Sequence, residues 1–282
     1  MRWWPVLFLL LVSFVLCSCA GDSKSKRKKS ALEKYEEALE ELLDEDYIDA
    51  AEAFENLAAS TLNPVIAQMA TLRLADALFF QAKYAEAAEV YREFLVQFSN
   101  SQDAGHAIYM RGSCYMERMP GNVWILPPAE SRELADVQQA RQAMAMLVDR
   151  YPDTYYALRA RTMLVKCVRR LCENHLYIAR FYEDSDKPDA VVQRIEQAVA
   201  LEESEKAANR IPKSFVCASA RDNLLLMARA FHKLKDAKGL DWVQQKYNQN
   251  IASYTDAQAG LAEITRLKST LKSSPEVPEA TP

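Results

Sequence analysis

His106, His175 and His232 are the three histidines of the chain, and none stands in an HExxH or His–Cys spacing that would hold a metal. No GxSxG, Walker or GxGxxG stretch occurs, and six glycines leave little material for a phosphate-cradling loop. The acids are spread along apparent helix faces with Lys or Arg four residues away, as on a solvated surface. These residues predict no enzyme, no cofactor and no metal. A formal net charge of −4 gives a nucleic-acid partner no global electrostatic support. The one constellation with a clear chemistry is Leu16-Cys17-Ser18-Cys19, a thiol directly after the apolar run Val6 to Leu16. A thiol there is a nucleophile that can take up a lipid.

Leu, any small residue, a small residue, then Cys resembles the bacterial lipobox. In lipoproteins with that motif the chain is cut before the Cys, whose sulfur carries diacylglycerol and whose new amine is acylated. Cys19 fits; Cys17 would place bulky Leu16 at the cut. Residues 1–18 then form a signal peptide, and 19–30 a lipidated Cys with a basic tether. Three acyl chains exceed the two signals that stable anchoring needs, so the mature chain sits on a membrane without spanning it. Ala20, where Asp favours inner-membrane retention, points to the outer membrane. A second reading stays open, because Trp3–Ala20 is long enough for an uncleaved anchor. The "KSKRKK" of residues 24–29 opposes export by the positive-inside rule. That run is either a solvated tether or an attraction to anionic head groups. Among the remaining cysteines, Cys167 and Cys172 lie about 140° apart on one helix and should not bridge, so buried thiols are expected.

The elements beyond the tether repeat. "DYIDAAEAF" returns as "KYAEAAEVY", thirty-seven residues later. A third copy begins at Ala140 and ends on Tyr151-Pro152-Asp153-Thr154, where Pro152 stops one helix and Asp153 or Thr154 can cap the next. The spacing Tyr47-Ala50-Phe54 and Tyr84-Ala87-Tyr91 resembles the second helix of a tetratricopeptide repeat. Residues three and four apart share one helix face, so Ala lets two helices approach and the aromatic fills the space beside it. The fold class is therefore all-α, a superhelical solenoid of about five helical hairpins, since one hairpin cannot bury its apolar face alone.

First helices are expected at about 31–43, 64–82 and 103–118. A long helix follows at 155–183 with a partner at 188–203, then a polar linker at 202–213, then a fifth pair at 215–234 and 237–253. The Pro-rich stretch 119–133 reads as a loop, with Trp124 and Ile125 either packed back or exposed to a partner. Residues 31–154 form the amino-terminal repeats and 155–254 the carboxy-terminal ones. Residues 255–282 hold a short helix and then a disordered Pro-rich tail. The repeat resemblance implies a peptide groove along the first helices: Tyr35 with Leu39 and Leu42; Met69, Leu72, Asp76, Phe79 and Phe80; His106, Tyr109 and Met116. Each apolar member is either groove or core between repeats.

The stretch 150–196, "RYPDTYYALRARTMLVKCVRRLCENHLYIARFYEDSDKPDAVVQRIE", resembles the BamD family of lipoproteins. Leu171, Glu173, Ile178, Ala179, Phe181, Tyr182, Ala190 and Arg194 stand at that family's marked places, and the likeness runs over about residues 31–245. It implies a periplasmic scaffold, lipid-anchored on the outer membrane. The amino-terminal repeats would bind unfolded outer-membrane proteins. The carboxy-terminal repeats would bind the BamA-type barrel insertase and other Bam lipoproteins. It also implies a partner interface at Arg194, which otherwise reads as a surface arginine pairing with Glu196 or a nearby acid. Two departures stand out: "EESEKAANRIPKS" replaces the Tyr-Pro turn after the fourth unit, and Gly239-Leu240 replaces the Ala of the fifth. Another envelope repeat lipoprotein, such as a peptidoglycan-synthesis coordinator or secretion pilot, and a membrane-anchored cytoplasmic adaptor are the alternatives.

The anchor is directly testable. Cys19→Ala is expected to leave an uncut precursor that takes up no labelled palmitate, because the thioether needs that sulfur. Normal cutting and labelling of the variant would remove Cys19 from the lipidation site.

Overall fold

The computed structural model describes residues 29–119, 121, 134–251 and 257–273. The leader, Cys19, most of the basic tether, Trp124 and Ile125 of the 119–133 loop, and the Pro-rich end lie outside them. All regular structure among the described residues is helical, in eleven helices. Five hairpins follow one another: α1 (Ala31–Leu43) with α2 (Tyr47–Ser60), α3 (Pro64–Phe80) with α4 (Tyr84–Gln97), α5 (Ala104–Glu117) with α6 (Ala135–Arg150), α7 (Tyr155–Asp184) with α8 (Pro188–Ala207), and α9 (Arg221–Lys233) with α10 (Ala237–Ile251). A last helix, α11 (Ala257–Ser273), packs on α9 and α10.

Local chemistry starts these helices where the sequence marks them. Ser30 and Glu33 form a capping box, with Glu33 N donating to Ser30 Oγ at 3.2 Å and Ser30 N to Glu33 Oε2 at 2.7 Å. Asn63 Oδ1 accepts from Val65 N at 3.0 Å ahead of Pro64, and Thr154 Oγ1 accepts from Ala157 N at 3.2 Å.

Four hairpin turns share one ending. Glu45, Ala82, Asp186 and Lys235 all have positive φ, two residues before the second helix of their pair. At each, the next amide reaches back to the last turn: Asp46 N to Glu41 O, Lys83 N to Leu78 O, Lys187 N to Tyr182 O and Asp236 N to Phe231 O. This closure satisfies carbonyls that the helix end would leave without partners. No glycine serves it.

Packing follows the small-then-bulky spacing. Ala50, Ala87 and Ala140 are fully buried, and so are Phe54, Tyr91 and Met144 four residues on. Truncating such a ring costs about 3–5 kcal/mol. In the fifth hairpin buried Leu240 stands at that position, five residues after the positive-φ residue as Ala50 and Ala87 do, and Gly239 beside it lies against the Phe231 ring, where any Cβ would overlap. Each helix packs on the next, and α1, α3, α5 and α7 also touch in succession, so the first helices form one continuous wall.

The region 202–213 differs from its expected form. Helix α8 runs through Ala207, and Glu202 and Glu205 in it are buried. Glu202 accepts from Cys217 N and Ala218 N, each at 2.8 Å, from Ser219 Oγ at 2.6 Å and from Lys206 Nζ at 2.7 Å. Glu205 pairs with Arg141 of α6 and with Arg210, which also grips Asp149 at 2.7 Å. What reads as a solvated linker is thus a charged clasp between α6, α8 and the connection to α9.

Ala82 pays the steric cost of a left-handed residue with a Cβ. Ala82→Gly is expected to raise stability by about 0.5–1 kcal/mol, seen as a higher urea midpoint with unchanged slope. A lower midpoint would mean that the turn is not left-handed in solution.

Candidate binding wall

The wall of first helices is crossed by a chain of polar and aromatic contacts. Asp76 on α3 is its hub, with a buried carboxylate. Its Oδ1 accepts from Tyr91 Oη at 2.5 Å and from His106 Nε2 at 3.1 Å, and its Oδ2 accepts from Arg73 at 2.6 Å. Arg73 also lies beside the Tyr35 phenol of α1, which helps, against burial, to raise the pKa of its guanidinium. His106 lies 5.6 Å, ring to ring, from Tyr156 of α7, and Tyr156 lies 5.4 Å from Tyr109 of α5. Arg159 of α7 then donates to Tyr109 Oη and Tyr155 Oη, each at 3.0 Å, and stands over both rings. Four successive first helices are joined by this one series.

The electrostatics follow from burial and pairing. Burial pushes the Asp76 carboxyl up, but hydrogen bonds from His106 and Tyr91 and the charges of His106 and Arg73 more than offset it, so it lies below its ordinary 3.8. Burial, then the Asp76 charge, holds the Tyr91 phenol protonated far above its usual range. The cluster is therefore a fixed carboxylate with all its donors in place, suited to holding a surface rigid.

The predicted groove residues divide. Tyr35, Asp76, His106 and Tyr109 come together in the series above. Leu72 is buried with Tyr91 and Phe94, and Met69 packs against the core of the first hairpin, so both serve the packing of repeats. Phe79 and Phe80 stand at the carboxy end of α3, where Phe79 meets Tyr84 at 5.4 Å and the half-exposed Phe80 stacks on Tyr47 at 5.2 Å. They close the turn edge of the stack. The sulfur of Met116 meets Cys167 Sγ at 3.4 Å and packs with Val137 and Ala140 of α6. Arg194 on α8 is half-buried and donates to Gln197 Oε1 at 3.3 Å rather than to Glu196. It lies close enough to His175 for its charge to add to burial in lowering that imidazole's pKa.

Sequence reasoning passed over Arg73, Tyr91, Tyr156 and Arg159 as members. Arg73 and Asp76, like Tyr156 and Arg159, sit three apart on one helix, the spacing that places side chains on a shared face. Carrying His106 into the fourth unit by the offset from Ala87 to Ala140 would have reached Arg159 but not Tyr156. The amino end of α7 also exposes Tyr155 and Leu158, at 65% and 67%, and its carboxy end exposes Tyr177 and Phe181.

Among the described residues no helix is long and apolar enough to cross a membrane, and no group of His, Cys, Asp and Glu could hold a metal ion. The profile of the YfiO family, described as outer membrane lipoprotein, matches residues 27–212. The outer membrane protein assembly factor BamD of Neisseria meningitidis is 25% identical over 190 residues, covering 63% of this chain and 69% of that protein. The protein of the same description in Pasteurella multocida is 22% identical over 191 residues, covering 67% and 73%. A solved structure titled MamA RS-1 ArsTM double mutant superposes with a TM-score of 0.37 at 13% identity, covering 86% of this chain and 97% of that one.

Asp76→Asn tests the hub. The amide keeps the shape but leaves Arg73 without its charge partner, so a loss of about 2 kcal/mol is expected at neutral pH. A carboxyl depressed in the folded state stabilises above its unfolded value and loses that contribution as pH falls through the folded one. The gap between wild type and variant, read by urea unfolding, should therefore hold above about pH 4 and close below it. A gap independent of pH down to 2 would deny Asp76 its charge.

Proposed function

Because the chain belongs to the YfiO family of outer-membrane lipoproteins, we propose that it acts in outer-membrane protein assembly, as the relatives' names say of them. A lipid on Cys19 holds it to the periplasmic face of the outer membrane. It works by binding, as a scaffold, with no chemical step of its own.

The observation that carries this reading is α7. This thirty-residue helix exposes large apolar side chains at both ends, Tyr155 and Leu158 at one and Tyr177 and Phe181 at the other. Exposed apolar residues grouped on one element mark a surface for a partner. The amino end continues the wall of α1, α3 and α5, where Tyr109, Tyr156 and Arg159 offer ring faces and donors. Such a surface suits an extended segment of an unfolded outer-membrane protein, whose alternate side chains are apolar. The carboxy end lies by α8 and Arg194. There a guanidinium hydrogen-bonded to an uncharged amide stands beside the buried strip of Val191, Ile195 and Ala198. A planar fork in that setting suits a carboxylate on the periplasmic domain of a BamA-type insertase.

The two ends are separable by mutation. Arg194→Glu is expected to abolish co-purification of the insertase from detergent-solubilised envelopes, since truncating one partner of a desolvated charge pair costs about 2–5 kcal/mol. Leu158→Asp, at an exposed position, should weaken binding of peptides from barrel-protein termini about tenfold, or about 1.4 kcal/mol, with helicity unchanged. Each variant should leave the other binding intact. Insertase co-purification unaltered by Arg194→Glu would remove Arg194 from the interface.

A further inference from the structure

Cys172 lies on α7 and Cys217 in the connection that leads to α9. Cys172 is fully buried, with its Sγ 3.6 Å from the Ala198 carbonyl of α8. Cys217 is half-buried, with its Sγ 3.9 Å from the Arg169 carbonyl of α7. Arg169 is three residues before Cys172, and a helical side chain leans over the turn that precedes it. The Arg169 carbonyl therefore marks the ground above which the Cys172 side chain lies, and Cys217 reaches the same ground from outside. The two thiols therefore face each other across that turn of α7. Cys167 is placed against Met116 instead, and Cys114 lies in the core of the second and third hairpins.

Cys217 is also held in place. Its backbone N donates to the buried Glu202 at 2.8 Å, and Ala218 N and Ser219 Oγ do the same at 2.8 and 2.6 Å. A carboxylate inside α8 thus presents this one connection thiol to α7.

We propose that Cys172 and Cys217 form an intramolecular disulfide that staples the first helix of repeat four to the connection carrying repeat five. The oxidant is an external disulfide, either oxidised glutathione or the active-site disulfide of a thiol oxidase. Cys217 is the accessible sulfur, and the neighbouring Cys172 thiol holds it below its ordinary 9.0 against the opposing effect of burial. Its thiolate attacks one sulfur of the external disulfide, forms a mixed disulfide and releases the first thiolate. Cys172 then attacks the Cys217 Sγ, and its proton goes to the second thiol as that leaves. The external disulfide is reduced to two thiols by two electrons, and one sulfur–sulfur bond remains in the protein. The oxidising compartment rests on the periplasmic reading above; the juxtaposition of the sulfurs does not.

The full chain in detergent, incubated with oxidised glutathione and then alkylated, should give tryptic peptides 171–180 and 214–221 as one linked pair. Its melting temperature should exceed that of the reduced protein by on the order of 5–10 °C. Cys114→Ser should keep both results. Cys217→Ser, at a half-buried position, should lose both and keep its helicity. Recovery of both cysteines as alkylated thiols, or of a glutathione adduct that never resolves, would overturn the pairing. Cells quenched in acid before alkylation should yield the same linked pair. A pair that links in the purified protein and stays reduced in quenched cells would instead overturn its oxidation in the native compartment and count against the periplasmic reading.

Discussion

Two helices approach closely only where one of them offers a small side chain, and this chain offers one at the same place in each of its first three hairpins. Ala50, Ala87 and Ala140 fill that place, whereas buried Val191 and Leu240 stand there in the fourth and fifth, with Gly239 beside Leu240 against the Phe231 ring, which leaves no room for a Cβ. The bulky residue four positions later then drops into the space beside the contact. Because a hairpin so built still has one apolar face uncovered, it must be covered by the next, and the chain stacks. Stacking brings α1, α3, α5 and α7 into contact with one another and makes a wall. The binding surface proposed at the amino end of α7 depends on that wall being continuous.

Two buried acids do different work within this stack. Asp76 ties side chains of three consecutive helices into one rigid cluster, so the wall presents fixed rings and donors. Glu202 gathers backbone amides of the connection to α9, where no first-helix contact of comparable extent joins α7 to the fifth hairpin. The first acid stabilises a surface; the second holds a joint. The Glu205–Arg141 and Arg210–Asp149 pairs close that joint onto α6.

The repeat was legible because its marks are local: a small residue, an aromatic four positions on, a Pro or cap after the helix. The turns were legible as turns but not as left-handed closures, since Glu45, Ala82, Asp186 and Lys235 share no side-chain feature. Asp76 was legible as a wall residue, but its donors Tyr91 and His106 come from other helices, and no spacing rule joins them. Glu202 was misread with the rest of "EESEKAANR" as solvated, because most of its partners lie fifteen or more residues away, two of them backbone amides that carry no signature in sequence. Phe79 and Phe80 were assigned to the groove from register alone. The helix ends immediately after them, which turns them toward Tyr84 and Tyr47.

Repeat scaffolds at the outer membrane serve several envelope roles, and the names of this family's relatives join it to outer-membrane protein assembly. The measurement that bears most directly on that role is the amount of folded β-barrel protein in the outer membrane after the chain is depleted from its own cells. The account predicts a fall in folded, heat-modifiable barrel protein together with accumulation of unfolded precursors in the periplasm, before any change in peptidoglycan. Normal barrel levels beside altered peptidoglycan cross-linking would contradict it.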